Sequence, residues 1–372
     1  MDVVIAGGGV GALEGLLALQ ALAPESLRLT VVTPGRYLTY RALSVAEPFG
    51  GAPAPRFEWE AIARDRGVRW VQDALEGVRP QERRIETRDG RPVGYDALLL
   101  ALGARPLPAL PGALMFAGPR DVLAVREALE RIEPGRPHRI VFAAVTGTAW
   151  TLPLYELALM AAERGRREGL ELALEVVTAE ASPLAAFGAE ASAEIARRLA
   201  AAGIRVRART HAAEFAHGRL RLEPEGAHGA DLVVALPHLR GPRVPGLAHD
   251  GGGFVSVDPY CRVRGTERIW AVGDMTTRPL KQGGLAAQQA DVAAAGIAAL
   301  AGADITVKPY RPLLRGLLFT GREPAFLERR PHAPPASEAS EEFLWWPPQK
   351  VAGRYFAPYL ESLGAARATG AD

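Results

Sequence analysis

The sequence predicts a three-layer α/β protein with parallel sheets, and two observations lead to this prediction. Short charge-free apolar runs such as Val3–Ala6 are typical of buried parallel strands. A glycine-rich turn and a helical stretch follow the first run, and a similar strand–turn–helix order begins again near residue 139. Two such units in one chain predict two sheets of the nucleotide-binding kind.

The composition is that of a globular protein with two or three packed domains. The chain has 372 residues, of which 48% are hydrophobic and 23% charged. Its net charge is only +2 and its basic residues are interleaved with acids, so we expect no nucleic-acid partner. No run reaches the roughly 18 apolar residues that cross a bilayer. A strand that starts at residue 2 leaves no room for a signal peptide, which predicts a cytoplasmic protein.

Cys261 is the single cysteine. It excludes an intrachain disulfide, a CxxC redox pair and a cysteine-rich metal cluster, and we expect no metal site. A lone cysteine is more often a small buried hydrophobic residue than a nucleophile.

The first strand, turn and helix form a dinucleotide-binding, Rossmann-like pattern. In "DVVIAGGGVGALEGLLALQAL", Gly7, Gly9 and Ala12 fit G-x-G-x-x-A, with Gly11 inside the same turn. Gly7 permits the tight turn, Gly9 lets the backbone approach a pyrophosphate, and Ala12 allows close packing of helix and strand. The phosphate then lies at the helix N-terminus. A purely structural glycine turn is the alternative interpretation.

The second strand, "LRLTVVT", lacks the acidic residue that usually receives the ribose hydroxyls. Thr33 and Pro34 occupy that place, and Thr33 still offers a hydroxyl or a backbone contact. Arg41 in "YLTYRAL" is a candidate phosphate ligand, although a structural or surface role is equally consistent with the sequence.

Two later segments resemble marks of the flavoproteins with two dinucleotide-binding domains, the pyridine nucleotide-disulfide oxidoreductase superfamily. They are "YDALLLALGARP", residues 95–106, and "TERIWAVGDM", residues 266–275. The resemblance implies FAD as the cofactor, with Asp274 bonded to the ribityl chain. It further implies cofactor contacts at Val78, Ala101, Leu102, Gly103 and Gly273.

The segment "KQGGLAAQQADVAAAGIAAL", residues 281–300, predicts a helix that approaches the flavin ring closely. We expect the amides of Gly284 and Leu285 to face the pyrimidine edge, where reduced flavin is negatively charged. Lys281 adds positive charge there. The alternative is an alanine-rich packed helix with a surface lysine.

Within the superfamily, four segments resemble sulfide:quinone oxidoreductase-like proteins, whose branch includes flavocytochrome c sulfide dehydrogenases and type II NADH dehydrogenases. These segments are "YRALSVAEPFGG", "KQGGLAAQQAD", "LRGLLFTG" and "WWPPQKVAGRYFAPYL". Sulfide oxidation in that branch needs a cysteine pair, which this chain lacks. The resemblance therefore implies an FAD-dependent oxidoreductase that passes electrons from an unidentified small-molecule donor to a quinone or protein acceptor.

The second nucleotide-binding turn, in "AAVTGTAWTLPLYELAL", is degenerate. Only Gly147 remains where three small residues are needed, and Trp150 follows closely. We predict that Trp150 packs into or across the second cleft and excludes NAD(P)H; the alternative places it in the domain core. Glu180 favours retained binding if it takes the ribose hydroxyls. An NAD(P)H:acceptor reductase and a flavin-bound interaction protein with little turnover thus remain alternative functions.

Glu156 aligns with a helix glutamate that lies toward the flavin in several relatives, where it helps to place the nicotinamide or to manage a proton. Together with Lys281 it is a candidate catalytic residue. Its helical phase gives a competing interpretation, because Glu156 and Glu163 lie opposite the apolar face and would then be solvated.

We assign residues 1–110 and 236–305 to a split FAD-binding domain, 111–235 to an inserted degenerate NAD(P)-binding-like domain, and 306–372 to a C-terminal interface segment. Within the last, residues 328–342 are expected to form a Pro/Ser/Glu-rich loop. The apolar runs "LLRGLLF" and "YFAPYL" fit core packing better than weak peripheral membrane contact. "FLWWPP" fits a homodimer contact or a wall over the flavin.

Overall fold

The computed structural model describes residues 1–330 and 337–369, with side chains up to Gly364. In chain order the strands are β1 (Asp2–Ala6), β2 (Arg28–Val32), β3 (Tyr37–Thr39), β4 (Arg56–Glu58), β5 (Arg69–Val71), β6 (Leu75–Arg79), β7 (Arg84–Thr87), β8 (Val93–Gly94), β9 (Ala97–Leu100), β10 (Arg105–Leu107), β11 (Leu114–Met115), β12 (His138–Ala144), β13 (Leu172–Thr178), β14 (Arg205–Arg207), β15 (His211–Ala216), β16 (Arg219–Glu223), β17 (Gly226–Gly229), β18 (Leu232–Ala235), β19 (His238–Arg240), β20 (Ile269–Ala271), β21 (Leu314–Leu318), β22 (Ala325–Arg329) and β23 (Ser337–Ser340). The α-helices are α1 (Val10–Leu22), α2 (Trp59–Arg66), α3 (Val122–Glu130), α4 (Leu152–Glu168), α5 (Ala189–Ala201), α6 (Gly283–Leu300) and α7 (Phe356–Thr369).

The first parallel sheet has the order β20-β9-β1-β2-β5. Alternate residues of its central strands face opposite layers, as the two-residue period of a strand requires. Ile5 and Leu99 pack with helices α1 and α6. Val4 and Leu98 pack on the other side, in a core shared with the antiparallel sheet β6-β7-β8. The three layers are therefore helices, parallel sheet and antiparallel sheet.

The second parallel sheet, β11-β18-β12-β13-β14, repeats this layering. Phe142 and Val176 face helices α3, α4 and α5. Val141 and Val177 face the antiparallel sheet β15-β16-β17 through Leu220. The segment "DLVVAL" forms β18 inside the parallel sheet, where the apolar residues Val233 and Val234 are buried.

The C-terminal segment adds the antiparallel sheet β21-β22-β23 and helix α7. Leu314 and Leu318 are buried in the core of the second unit, so the run "LLRGLLF" packs inside the protein. Helix α7 packs against α1 through Phe356 and Leu360. The loop expected over 328–342 is wrong for residues 328–329, which lie in β22, and for 337–340, which form β23, while 331–336 fall outside the described residues. Among the described residues, no helix has the length and apolarity needed to cross a bilayer.

The core of the first unit generates a stability prediction at Leu99. This residue is fully buried between β1 and β20, and its Cδ2 lies only 2.4 Å from the position that a Cβ on Gly15 would take. We expect Leu99→Ala to lower the free energy of unfolding by about 2–5 kcal/mol, since the helix cannot close the cavity. Urea unfolding measures this. Leu123→Ala, at a side chain 62% exposed, is the control, and equal losses in both variants would contradict the prediction.

Candidate functional site

A cleft of about 320 Å³ opens between the two units at the carboxyl ends of the strands of both parallel sheets. Ligands of open α/β sheets bind at such edges. The first unit contributes its glycine turn and the Gly273–Asp274 turn. The second contributes the segment 148–153 and Glu156, and the C-terminal segment contributes Lys350 and Val351.

The glycine turn leaves an open cradle at the start of α1. Gly7 has φ +136°, and a Cβ there would lie 2.2 Å from the carbonyl oxygen of Ala101, so only glycine fits. A Cβ on Gly9 would meet nothing within 4 Å. Helix α1 begins at Val10 with no side-chain cap, which leaves amides of its first turn free for an anion. This geometry fits a pyrophosphate, and the assignment of Gly9 and Gly11 as its ligands stays a prediction.

Asp274 also lines this cleft. Among the described residues, nothing donates a hydrogen bond to its carboxylate, which makes it a free acceptor for ligand hydroxyls. Burial raises the pKa of Asp274, while the charges of Lys281 and Arg41 act against this shift. The guanidinium of Arg41 donates to the Ala117 carbonyl oxygen at 2.9 Å and borders the cleft. A carboxyl group and a guanidinium cation thus face the same space.

Lys281 also lines the cleft but is already engaged. Its Nζ donates to the carbonyl oxygen of Thr276 and lies 4.3 Å from the centre of the Phe254 ring. Burial lowers the pKa of Lys281 to about 8, although Asp274 partly offsets the shift. The surface-lysine interpretation is wrong, because the residue is only 8% exposed.

Several predicted contacts lie away from the cleft wall. The amide of Leu285 donates to Gln282 Oε1 at 3.0 Å and is therefore not free to face a ring. Gly284 is buried in the same helical turn. Val78 is buried in the core beneath the first sheet, and its amide donates to the Pro245 carbonyl oxygen. The assignments of Leu285 and Val78 as cofactor contacts stay predictions.

Three further predicted residues lie near the turns without lining the cleft. Thr33 is buried with its hydroxyl against Gly8, whose absent Cβ would lie 2.4 Å from Oγ1. Pro34 beside it is exposed. The amide of Leu102 donates to Met275 Sδ at 3.4 Å, next to Ala101 and Gly103, which do line the cleft.

Glu156 is fully buried in the cleft wall, so the solvated interpretation of this helix face is wrong. Its Oε1 accepts hydrogen bonds from the Phe319 amide, at 2.8 Å, and from Lys350 Nζ. Its Oε2 is buried with no partner among the described residues. Burial raises the pKa of Glu156 and lowers that of Lys350, so both shifts favour the neutral forms, while each residue's charge stabilises its partner's.

Sequence reasoning missed Lys350. Two features of the sequence could have singled it out: lysine is rare in this chain, with only three residues, and Lys350 follows the apolar run "FLWWPP". The pair joins residues 194 positions apart, which no local pattern predicts.

Aromatic side chains pack together after the second, degenerate turn. Trp150 follows β12 and Phe187 follows β13, and their ring centres lie 5.8 Å apart. Phe187 is fully buried in the core of the second unit, and Trp150 packs against that core while it also lines the cleft, so exclusion of NAD(P)H by Trp150 stays a prediction. Glu180 Oε2 accepts from the hydroxyls of Tyr155, at 2.6 Å, and Thr178, at 3.2 Å. Its carboxylate is thus used within the protein.

Two parallel-sheet units meet at a cleft. The cleft holds a dinucleotide cradle, an acceptor carboxylate and a buried acid–base pair. This arrangement is that of a flavoprotein oxidoreductase of the two-dinucleotide-domain class. The chain belongs to the pyridine nucleotide-disulphide oxidoreductase family, whose sequence model matches residues 1–295. It is accordingly an FAD-dependent oxidoreductase.

Relatives in sequence are distant. The chain is 29% identical over 104 residues to a mitochondrial sulfide:quinone oxidoreductase of Dictyostelium discoideum, covering 27% of this chain and 23% of that protein. It is 22% identical over 196 residues to a sulfide-quinone reductase of Aquifex aeolicus, covering 50% and 44% of the two chains. The match thus spans less than half the length of either relative.

Similarity in structure extends further. The crystal structure of the Aquifex aeolicus sulfide:quinone oxidoreductase has a TM-score of 0.84 at 19% identity, covering 98% of this chain and 91% of that one. A putidaredoxin reductase bound to putidaredoxin has a TM-score of 0.66 at 18% identity, with coverages of 89% and 82%. At these identities the likeness establishes the fold.

Substitutions at Gly7 and Gly9 in the first turn should have different effects. Gly9→Val should leave the apoprotein as stable as the wild type, because its Cβ points into open space, but the protein should lose most of its FAD. Gly7→Ala should destabilise the fold itself, because its Cβ would overlap the Ala101 carbonyl group. FAD content and apoprotein unfolding in urea measure the two effects. Full FAD occupancy in Gly9→Val would show that the cradle holds no part of the cofactor.

Proposed function

We propose that this FAD-dependent oxidoreductase passes electrons to a quinone or protein acceptor without a cysteine redox pair. The observation that carries the proposal is the buried Glu156–Lys350 pair in the wall of the cleft. FAD, when bound, supplies the exchange of two electrons. The residues of the chain then have to bind the acceptor and provide protons.

Thiol chemistry is not supported at the only cysteine. Cys261 is fully buried in the core of the first unit and does not line the cleft. Burial raises the pKa of its thiol to about 11, which keeps it protonated near neutral pH. A thiolate is the reactive form, so sulfur transfer of the sulfide-oxidising kind has no support in this chain. The electron donor stays unidentified.

The Glu156–Lys350 pair fits the proton chemistry of a quinone acceptor. Reduction of a quinone to a quinol consumes two electrons and two protons. Burial raises the pKa of the Glu156 carboxyl group, which favours its protonated form, and such a group can release its proton to a nearby oxygen. Lys350 holds Oε1, which leaves the unpartnered Oε2 as the oxygen that can carry that proton. Both curated relatives are named for quinone reduction, which supports this class of acceptor.

We expect Glu156→Gln to slow the reoxidation of chemically reduced protein by a water-soluble quinone at least about 10²-fold, because the amide cannot deliver a proton. Lys350→Met should slow it as well. Anaerobic stopped-flow absorbance measures the rate, and FAD content checks that the site stays intact. Glu163→Gln is the matched control, two turns along the same helix in a surface ion pair with Arg166 and Arg322. Equal rates in wild type and Glu156→Gln would contradict the proposal.

A second candidate function, an NAD(P)H:acceptor reductase, is favoured by the second parallel sheet and by helix α4 at its edge. Against it stand the contact between Trp150 and Phe187 and the hydrogen bonds that occupy Glu180. The third candidate, a flavin-bound interaction protein, is supported only by the absence of a cysteine pair and by the degenerate turn.

We predict that millimolar NADH or NADPH leaves the wild-type flavin oxidised for seconds under anaerobic conditions. Trp150→Gly should raise nucleotide affinity, because removing the indole opens the groove. Trp346→Gly, at an indole 77% exposed, is the control. Rapid bleaching of the wild type would establish the reductase instead. A loss of roughly 3–5 kcal/mol in stability without any gain in binding would identify Trp150 as a core residue.

A further inference from the structure

A second buried carboxylate lies outside the cleft, on helix α1. Glu14 is fully buried, and its two oxygens accept hydrogen bonds from the amides of Tyr355, at 2.9 Å, and Phe356, at 2.5 Å. These amides lie at the start of α7, where a helix favours negative charge. Glu14 therefore holds the start of α7 against helix α1.

Asp291 on helix α6 completes this contact. Its side chain shares a hydrogen bond with Glu14, while its Oδ1 is buried without a partner among the described residues. Burial and the neighbouring Glu14 charge raise the pKa of Asp291 to about 8, and the charge of Arg354 acts against this shift. The two carboxyl groups thus hold one proton between them near neutral pH, because two adjacent buried charges repel.

The backbone between this pair and Lys350 follows the two helices closely. The Val351 amide donates to the Tyr40 hydroxyl at 2.8 Å. A Cβ on Gly353 would lie 2.7 Å from Glu14 Oε2, so the chain passes directly over the carboxylate. A Cβ on Gly283, at the start of α6, would lie 2.9 Å from Val351. The chain between Lys350 in the cleft and residues 355–356, which Glu14 holds, therefore has little room to move.

We propose that Glu14 and Asp291 are positioning residues that hold Lys350 beside Glu156 by fixing residues 351–356 to helices α1 and α6. The contribution of that position to turnover rests on the proposed function; the position itself does not. A purely structural contact would hold α7 in place without any effect on Lys350.

Amine acetylation followed by mass spectrometry tests this in the FAD-bound protein. The chain has only three lysines, so each is followed separately. Lys308 is exposed and serves as the reference. Lys281 is buried in a different segment and reports any general loosening. The measured quantity is the ratio of acetylation rates of Lys350 and Lys308.

We expect Glu14→Gln to raise this ratio by about tenfold or more, since one of the two backbone amides would then face the side-chain NH2 group, a donor, in place of an acceptor oxygen. The ratio for Lys281 should not change. Asp65→Asn is the matched control, because it makes the same carboxylate-to-amide change at a different contact with α7, where the Tyr359 hydroxyl donates to Asp65 at 2.8 Å, and leaves residues 351–356 untouched. An unchanged Lys350 ratio in Glu14→Gln overturns the proposal. So does an equal rise in Asp65→Asn, or an equal rise at Lys281.

The shared proton adds a pH dependence. Among the described residues, the ionisable groups that face Asp291 are Glu14 from α1 and Arg354 from the segment before α7. Loss of the proton above about pH 8 leaves two opposed carboxylates and should loosen the segment. Asp291→Asn keeps a donor to Glu14 and cannot ionise. Acetylation of Lys350 in the wild type should therefore exceed that in Asp291→Asn at about pH 9 but match it at about pH 7.

Comparison with Asp291→Asn cancels the titration of Lys350 itself, which both proteins share. Equal acetylation at both pH values would overturn the shared-proton arrangement. These readouts require no turnover, so they separate the two proposals. If Glu14→Gln exposes Lys350 while Glu156→Gln leaves quinone reduction unchanged, the positioning stands and the proposed function fails.

Discussion

The close contact between two backbone turns at the carboxyl edge of the first sheet sets the geometry of the whole cleft. Gly7 and Ala101 approach so closely that no Cβ fits between them, which brings the end of β1 against the end of β9. The start of α1 and the Gly273–Asp274 turn line the same cavity beside this contact. The dinucleotide cradle therefore depends on a backbone contact before any side chain is considered.

Both units bury their parallel sheet between the same two kinds of layer. Helices cover one face and an antiparallel sheet covers the other, so the central strands of each parallel sheet lose water from both sides. The strand ends of both units converge on the same cleft. Segments distant in sequence meet there, and the C-terminal segment supplies the last part of the wall.

The buried pair of Glu156 and Lys350 is poorly explained by stability alone. Burying a carboxyl group and an amine costs free energy whether they are charged or neutral, and well-packed apolar residues often stabilise a core as well as such a pair does. The pair also leaves Glu156 Oε2 buried without a partner, which adds a further cost. An arrangement with this free-energy cost in the wall of a cofactor cleft indicates a functional role.

The sequence by itself determined the local units. Glycine spacing, apolar runs and helix periodicity predicted β1, α1, the two later turns and the repeated second unit, because each depends on neighbouring residues. Tertiary structure alone decided that Glu156 is buried, that Lys350 pairs with it, and that Trp150 reaches Phe187. Helical phase placed Glu156 on a polar face, but the C-terminal sheet covers that face through Phe319. Contacts between segments so far apart leave no periodic signal, since they depend on how whole layers pack.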